Sequence, residues 1–223
     1  MYQFVKRAFD ILFALIAILI LSPLLIPIMI GLKLTGEHYI FYFQERIGYK
    51  NRKFSIYKFA TMLKNSPNMT GGLITTKRDP RILPMGGFLR KTKINELPQL
   101  FNILFGQMSF VGPRPLMEKS FLTYSKEVQE KVYDSKPGLT GIGSIVFRDE
   151  EELLSKIKEE GGDTWAYYSE TIYPHKGNLE LWYQSNKSLW TDLKILFATA
   201  CVLFIPDTQF IYNWFKGLPK RNF

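Results

Sequence analysis

The segment from residue 89 to residue 115 carries side-chain types that bind phosphate groups. Its carboxylate is Glu96, which directly follows the amide side chain of Asn95. Arg90 and Lys93 supply positive charge just upstream. Because guanidinium and ammonium groups form charge-assisted hydrogen bonds with phosphate oxygens, this cluster predicts a site for a phosphorylated ligand.

A helix is expected to begin inside this segment. Apolar residues recur at helical spacing from Ile94 to Phe105, so one helix face would pack inward. Asn95 is then the predicted N-cap, and Pro98 falls in the first turn, where its missing N–H costs little. The free N–H groups and the positive end of the helix dipole would hold a phosphate. An ordinary helix start without a ligand gives the same pattern, and this alternative stays open.

Arg114 lies between Pro113 and Pro115 in the sequence VGPRP. Proline fixes its own φ angle and disfavours the helical conformation of the residue before it. Arg114 is therefore expected in an extended segment that holds its planar guanidinium toward phosphate or carboxylate. A plain proline-rich turn is the alternative.

Motifs spread over most of residues 5 to 145 match one known family in the same order. They are Gln44-Glu45-Arg46-Ile47-Gly48, Tyr57-Lys58-Phe59, Asp79-Pro80-Arg81, Leu89-Arg90-Lys91-Thr92, Asn95-Glu96-Leu97-Pro98-Gln99, Met108-Ser109-Phe110, Gly112-Pro113-Arg114-Pro115 and Lys136-Pro137-Gly138-Leu139-Thr140-Gly141. In this pattern the chain closely resembles the bacterial sugar transferases, the monotopic phosphoglycosyl transferases. Several independent motifs in one order argue against a chance similarity.

The resemblance implies an enzyme that uses Mg²⁺ to transfer a sugar 1-phosphate from a UDP-sugar to polyprenyl (undecaprenyl) phosphate. It would act as a monotopic protein among the membrane lipids, at the cytoplasmic face of the bacterial inner membrane. This is the first membrane step of polysaccharide or glycoconjugate biosynthesis, such as that of exopolysaccharide, lipopolysaccharide or capsule. The alternative is a catalytically inactive, membrane-bound scaffold that binds nucleotide sugars. The sequence leaves open whether the chain forms a homo-oligomer.

The resemblance also implies roles for individual residues. Asn95 and Glu96 occupy the catalytic positions, and Glu96 would bind Mg²⁺. The residues expected to bind substrate phosphate are Arg90, Arg114, Lys58 and Arg81. The residues expected to support the site are Gln44, Arg46, Asp79 and Pro113. From the residues alone, an ordinary Asx turn at Asp79 and a solvated hairpin face for the strand residues remain open.

The chain departs from the family at the catalytic pair. Most members have Asp-Glu where this chain has Asn95-Glu96, and the aspartate is the proposed nucleophile toward the sugar-linked phosphate. A neutral amide is a poor nucleophile. Three interpretations follow: a natural variant in which Glu96 or the polyprenyl phosphate attacks, an engineered inactive protein, or a relative that binds without turnover. We favour the natural variant, because Lys93 and Ile94 also differ from the Ser-Leu that is usual in the family.

Composition points to a membrane and to an anionic partner. The 223 residues are 46% hydrophobic and carry a formal net charge of +9. A strongly basic chain attracts nucleic acid, anionic lipid or pyrophosphate-bearing substrates. The sequence has no zinc-ligand spacing, RNA-binding aromatic signature or basic recognition helix, so nucleic acid is not an expected partner.

Residues 11–32 contain no charged side chain and are long enough to cross a bilayer core. Ser22 and Pro23 interrupt this run, where a proline removes a backbone hydrogen bond and bends a helix. Lys6 precedes the run and Lys33 follows it, so both ends carry the positive charge expected on the cytoplasmic side. We therefore predict a re-entrant helix that enters and leaves one leaflet, with a break at Ser22-Pro23. A simple transmembrane anchor is the alternative.

One β-hairpin is expected between Ile40 and Phe59. Apolar stretches lie on either side of the turn residues at positions 48–51, and no other strand pair is convincing. The predicted fold is α+β and mostly helical. Residues 1–35 would form the re-entrant membrane helix, and residues 36–223 a catalytic domain with interfacial amphipathic helices and a C-terminal membrane-associated tail.

Overall fold

A computed structural model describes residues 1–69, 79–204 and 209–223. Within these residues the chain is mostly helical and has two sheets of two strands each, in agreement with the predicted α+β fold. The chain divides into two compact units. The larger unit comprises Met1–Ala8, Glu45–Phe54 and Gly106–Phe223, and the smaller unit comprises Phe9–Gln44 and Ser55–Phe105.

Most elements are short. The helices are α1 (Tyr2–Leu34), α2 (Gly86–Lys91), α3 (Gln99–Leu104), α4 (Glu118–Phe121), α5 (Lys126–Lys131), α6 (Ile142–Val146), α7 (Glu150–Glu159), α8 (Thr164–Tyr167), α9 (Tyr173–Asn186), α10 (Leu189–Phe204) and α11 (Phe210–Trp214). The strands are β1 (Phe41–Ile47), β2 (Lys53–Phe59), β3 (Ser109–Val111) and β4 (Gly138–Thr140). Tight 3₁₀ turns occupy Tyr49–Asn51, Ser66–Asn68 and Ile94–Glu96, and a π-helical turn at Tyr168–Ile172 precedes α9.

The first helix is long and apolar. Among the described residues, α1 is the one helix whose length and composition would let it cross a membrane. The carbonyl of Leu19 would normally accept the N–H of residue 23, but Pro23 has none. The Ser22 hydroxyl donates to this carbonyl instead, at 2.8 Å. The helix therefore continues through the Ser22-Pro23 position.

Strands β1 and β2 form the predicted β-hairpin. In the turn, the Gly48 N–H donates to the Arg52 carbonyl at 2.9 Å. Lys50 and Asn51 have positive φ angles of 54° and 58°. This left-handed backbone reverses the chain within five residues. The hairpin prediction is confirmed.

The core of the smaller unit joins α1, β2 and α2. Its buried apolar residues are Leu25, Ile28, Leu32, Phe59 and Leu89. Ile94 and Leu97 pack against this cluster. Ile94 is the first residue of the turn Ile94–Glu96, and Leu97 directly follows it. Their packing against the core therefore holds the turn in place.

The main core of the larger unit joins β3 to helices α6, α9, α10 and α11. Its members include Val111, Ile142, Leu179, Tyr183, Ile195, Ile211, Phe215 and Leu218. The last two show that the segment after α11 packs on this unit. Arg221 also donates two hydrogen bonds to the Asp149 carboxylate, at 2.6 and 2.5 Å. Membrane association of this tail stays a prediction.

A second strand pair, which the sequence analysis missed, lies next to the arginine segment. Strands β3 and β4 are parallel, with Ser109 opposite Gly138. Three-residue strands are too short to show an alternating pattern, which is why the sequence gives no sign of them. The Pro113 carbonyl accepts the Gly138 N–H at 2.9 Å. At Gly112, a Cβ would lie 2.2 Å from the Lys136 carbonyl oxygen, so the close approach of the two strands requires glycine there.

Candidate active site

The smaller unit contains an ion pair between Glu96 and Lys58. Glu96 ends the turn Ile94–Glu96, and Lys58 lies near the end of β2. Lys58 Nζ lies 2.9 Å from Glu96 Oε1, and the two side chains are 16% and 17% exposed. Partial burial strengthens electrostatic interactions relative to bulk water. The pair can therefore offer a carboxylate oxygen to a cation and an ammonium group to a phosphate.

The chain around Asn95 folds differently from the predicted helix start. Residues Ile94–Glu96 form a 3₁₀ turn, and α3 begins only at Gln99, without a side-chain cap. The Leu97 N–H donates to the Ile94 carbonyl at 3.1 Å, so it is not free for a ligand. The predicted N-cap at Asn95 is wrong. Ile94 and Leu97 both pack against the core, and this packing favours a 3₁₀ turn at Ile94–Glu96, before α3 begins.

Asn95 is buried and keeps one polar atom without a hydrogen-bond partner. Asn95 is 7% exposed, and no described residue donates a hydrogen bond to its Oδ1. Leaving a buried acceptor unpaired costs about 1–3 kcal/mol. A hydrogen-bond donor or a cation brought by a ligand would therefore be stabilised here. Asn95 and Glu96 place two oxygen-bearing side chains at adjacent positions.

Asp79 and Arg81 form a buried, bidentate ion pair in the smaller unit. Arg81 Nε and Nη2 donate to the two carboxylate oxygens at 2.8 and 2.6 Å, and Nη1 donates to the Ser66 carbonyl at 2.8 Å. Asp79 also accepts the backbone N–H of Arg81 at 3.0 Å, which is the geometry of an Asx turn. Hydrogen bonds from Arg81 are the main cause that lowers the pKa of Asp79 to about 2. Phosphate binding by Arg81 stays a prediction.

Arg90 and Gln44 are the remaining predicted site residues of this unit. Arg90 lies in α2, and its Nη1 lies 3.5 Å from the Met62 sulfur. Its positive charge also contributes to the lowered pKa of Asp79. Gln44 is half-buried on β1. The roles expected of both residues stay predictions.

Asn102 positions β2, and the sequence analysis missed it. This residue of α3 is fully buried. Its Oδ1 accepts the Tyr57 N–H at 2.9 Å, and its Nδ2 donates to the Ser55 carbonyl at 2.8 Å. The amide thus pairs with the edge of β2 directly before Lys58. A polar residue within the apolar run QLFNILF was the signal that could have identified it.

We expect Asn102→Leu to lower the free energy of unfolding by about 1–3 kcal/mol, because the Tyr57 N–H and the Ser55 carbonyl each lose a part-buried hydrogen bond to the amide. Denaturant titration in detergent measures this change. Asn186→Leu is the matched control, because Asn186 is exposed and its side-chain amide donates to the Trp182 carbonyl of its own helix at 2.8 Å. An Asn102→Leu protein as stable as this control would contradict the assignment.

In the larger unit, Arg114 is exposed on a fixed backbone. Its neighbours Pro113 and Pro115 are buried. The Tyr133 hydroxyl donates to the Arg114 carbonyl at 2.9 Å and accepts the Leu116 N–H at 2.9 Å. The guanidinium therefore projects from a segment whose backbone position is set by the surrounding fold, and it can bind an anion.

The end of β1 holds the residues that follow Arg114. Arg46 Nη1 lies 3.5 Å from the Pro115 carbonyl oxygen. The next residue, Ile47, donates its N–H to the Leu116 carbonyl at 2.8 Å. These contacts tie the arginine segment to the hairpin residues of the larger unit. The supporting role expected of Arg46 stays a prediction.

Comparison with known proteins decides the family. A family model described as bacterial sugar transferase matches residues 1–206. The chain belongs to the bacterial sugar transferase family. The predicted family is thereby confirmed.

Relatives from several bacteria match most of this chain. Undecaprenyl-phosphate galactose phosphotransferase of Salmonella typhimurium is 34% identical over 219 residues, which cover 92% of this chain and 41% of the relative. UDP-glucose:undecaprenyl-phosphate glucose-1-phosphate transferase of Klebsiella pneumoniae is 33% identical, with 92% and 41% covered. Exopolysaccharide production protein ExoY of Sinorhizobium fredii is 33% identical, with 87% and 83% covered. This chain thus spans about two fifths of the first two relatives and most of ExoY.

Proposed function

We propose that this chain transfers a sugar 1-phosphate from a UDP-sugar to polyprenyl phosphate, as the first membrane step of a bacterial glycan pathway. The observation that carries the proposal is its similarity, over 92% of its length, to a relative named undecaprenyl-phosphate galactose phosphotransferase. The Glu96–Lys58 pair supplies a carboxylate for a cation and an ammonium group for a phosphate. The glycan would be an exopolysaccharide, a lipopolysaccharide or a capsule.

In this reaction a nucleophile attacks the phosphorus that bears the sugar. The bond from that phosphorus to the bridging oxygen breaks, and UMP leaves with the electron pair. Negative charge grows on UMP, so a fixed cation such as Lys58 stabilises the transition state more than the ground state. Asn95 is neutral, which leaves the polyprenyl phosphate or the Glu96 carboxylate as the attacking group.

We also propose that Glu96 binds Mg²⁺. The described residues contain no group of three His, Cys, Asp or Glu side chains that could hold a metal alone. Mg²⁺ commonly takes one or two protein oxygens together with substrate phosphate and water, so the Glu96 carboxylate and the unpaired Asn95 Oδ1 fit it. When bound, the ion would neutralise charge on the substrate pyrophosphate. Lys58, which pairs with Glu96 at 2.9 Å, would then turn to a phosphate oxygen.

A position at the cytoplasmic face of the bacterial inner membrane is part of the proposal. Large apolar side chains of α1 are exposed, including Phe4, Leu12, Leu19, Ile20 and Leu34. Helix α10 exposes Trp190, Leu193 and Phe197, which share one helix face. Burying such residues in lipid is favourable. Re-entrant insertion of α1 would hold the Glu96–Lys58 pair of the same unit near the headgroup layer, where lipid phosphate and nucleotide sugar can meet. Interfacial packing of α10 is part of the same proposal.

We expect the detergent-solubilised chain to release UMP from a UDP-sugar over repeated turnovers only when polyprenyl phosphate and Mg²⁺ are both present. A panel of UDP-sugars, with EDTA and no-lipid controls, tests this. A stoichiometric burst of UMP without lipid would mean that Glu96 attacks, whereas no burst would mean that the polyprenyl phosphate attacks directly. No release with any sugar tested, from the chain itself or from Asn95→Asp, would contradict the proposal.

A binding-only scaffold is the second candidate, and Asn95 is the observation that favours it. Such a protein would bind a UDP-sugar and release no UMP. Release that appears only in Asn95→Asp would identify this case, because the substitution restores a carboxylate at the catalytic position. Release by the unmodified chain would exclude it.

A further inference from the structure

A buried carboxylate lies beneath the arginine segment of the larger unit. Glu180, on α9, is 4% exposed, and its Oε2 has no hydrogen-bond partner among the described residues. A Cβ built on Gly143 would lie 2.8 Å from Glu180 Oε1. Any larger residue at position 143 would collide with the Glu180 carboxylate, so the glycine makes room for this side chain.

The Glu180 carboxylate accepts the backbone N–H of Arg114. Pro113 and Pro115 have no N–H, so the Arg114 N–H is the one backbone donor of this three-residue segment. The Tyr133 hydroxyl donates to the Arg114 carbonyl at 2.9 Å. Side chains from two other parts of the larger unit thus hold both backbone hydrogen-bonding groups of Arg114.

The charge of Glu180 is poorly compensated by other side chains. Burial raises its pKa to about 7, and the positive charge of Lys176, one helical turn earlier, opposes this rise only in part. The Lys176 ammonium is already bound at 2.6 Å to Glu150 and at 3.1 Å to the Tyr168 hydroxyl. A carboxylate in this place is costly for the fold. Glu180 accepts a hydrogen bond from the Arg114 N–H, and this contact indicates that the carboxylate fixes the position of Arg114.

We propose that Glu180 is a positioning residue for Arg114: by binding the single backbone N–H between two prolines, it sets the direction in which the guanidinium meets substrate phosphate. The phosphate ligand rests on the proposed function, whereas the contact itself does not. A guanidinium binds phosphate with two hydrogen bonds only when its plane is correctly oriented. Loss of the contact should therefore weaken substrate binding more than it slows turnover.

Glu180→Gln and Glu180→Met separate this role from a structural one. Glutamine keeps an acceptor for the Arg114 N–H and should retain KM for the UDP-sugar within about threefold. Methionine has nearly the same shape without an acceptor, and it should raise KM about tenfold with little change in kcat. Tm should change little, because removal of the buried charge offsets the loss of the acceptor for the Arg114 N–H. Gln184→Met, on the same helix, loses contacts to Val132 and Ser135 instead and should leave KM unchanged.

Hydrogen exchange tests the contact without any enzymatic assay. Both neighbours of Arg114 are prolines, so two peptic fragments that differ only by residues 113–115 differ only by this amide, and mass spectrometry of such a pair measures its exchange. Exchange of this amide should be at least about tenfold faster in Glu180→Met and unchanged in Glu180→Gln and Gln184→Met. Glu180→Ala serves as a second variant should the methionine protein fail to fold. Unchanged exchange in both apolar variants would overturn the proposal.

The two readouts distinguish the failure of this inference from that of the proposed function. A wild-type chain that releases no UMP would refute the transferase, and the Kd for UDP would then replace KM in the comparison of variants. Equal losses of affinity in Glu180→Gln and Glu180→Met would overturn the positioning role, because glutamine retains the acceptor. Rapid exchange together with unchanged affinity in Glu180→Met would overturn it as well.

Discussion

Glu96→Gln is expected to reduce UMP release by about 10³-fold while the fold stays intact. Glutamine has nearly the same shape, but it lacks the charge that would bind Mg²⁺ and pair with Lys58 at 2.9 Å. If Glu96 is also the attacking group, the loss extends to the chemical step itself. Initial rates of UMP release at saturating Mg²⁺ measure the effect, and thermal unfolding in detergent checks the fold.

The hairpin offers a matched control for this substitution. Glu118 pairs with Lys53, at the other end of β2, at a distance of 2.8 Å, but these side chains are 57% and 45% exposed. Glu118→Gln removes the same kind of ion pair from a solvated surface and should leave UMP release unchanged. A Glu96→Gln protein as active as Glu118→Gln would show that Glu96 is not part of the active site.

Asp192→Ala is expected to lower the free energy of unfolding by about 3–5 kcal/mol, the largest loss of stability that we predict. Its carboxylate accepts hydrogen bonds from Tyr2, Lys6 and Tyr183 at 2.8, 2.5 and 2.8 Å. The Lys6 and Asp192 side chains are 13% and 9% exposed. Removing the carboxylate deprives a poorly solvated ammonium of its ion-pair partner and two tyrosine hydroxyl groups of this acceptor.

Denaturant titration of the detergent-solubilised chain measures this loss, which corresponds to a Tm decrease of roughly 6–20 °C for a chain of this size. Asp134→Ala is the control, because Asp134 pairs with Lys50 on the surface, where the side chains are 43% and 55% exposed. Such a pair contributes about 1 kcal/mol or less. Similar losses in the two variants would refute the view that Asp192 anchors the first residues of the chain to α9 and α10.

The sequence predicted the elements whose signals are local. The uncharged run predicts α1, and the apolar stretches around the Gly48 turn predict the hairpin. Hydrophobic length and turn chemistry are properties of one continuous segment, so both elements can be predicted from the sequence. The order of motifs from Gln44 to Gly141 was sufficient to predict the family, and the family model confirms it.

Prediction failed where tertiary packing competes with local preference. The Asn95 N-cap was a reasonable reading of the residues, but Ile94 and Leu97 gain more from burial against α1 and α2 than the chain gains from an early helix start. Strands β3 and β4 were not predicted, because each has only three residues and the two strands lie far apart in the sequence.

By itself, the sequence determined that this protein has a long apolar first helix, a β-hairpin and the ordered motifs of the bacterial sugar transferase family. Only the tertiary structure decided that Lys58 meets Glu96, that Asn102 holds β2, and that Glu180 binds the Arg114 N–H. The physical reason is the same in each case. Such contacts join residues from different elements, and no single segment records which elements will pack together.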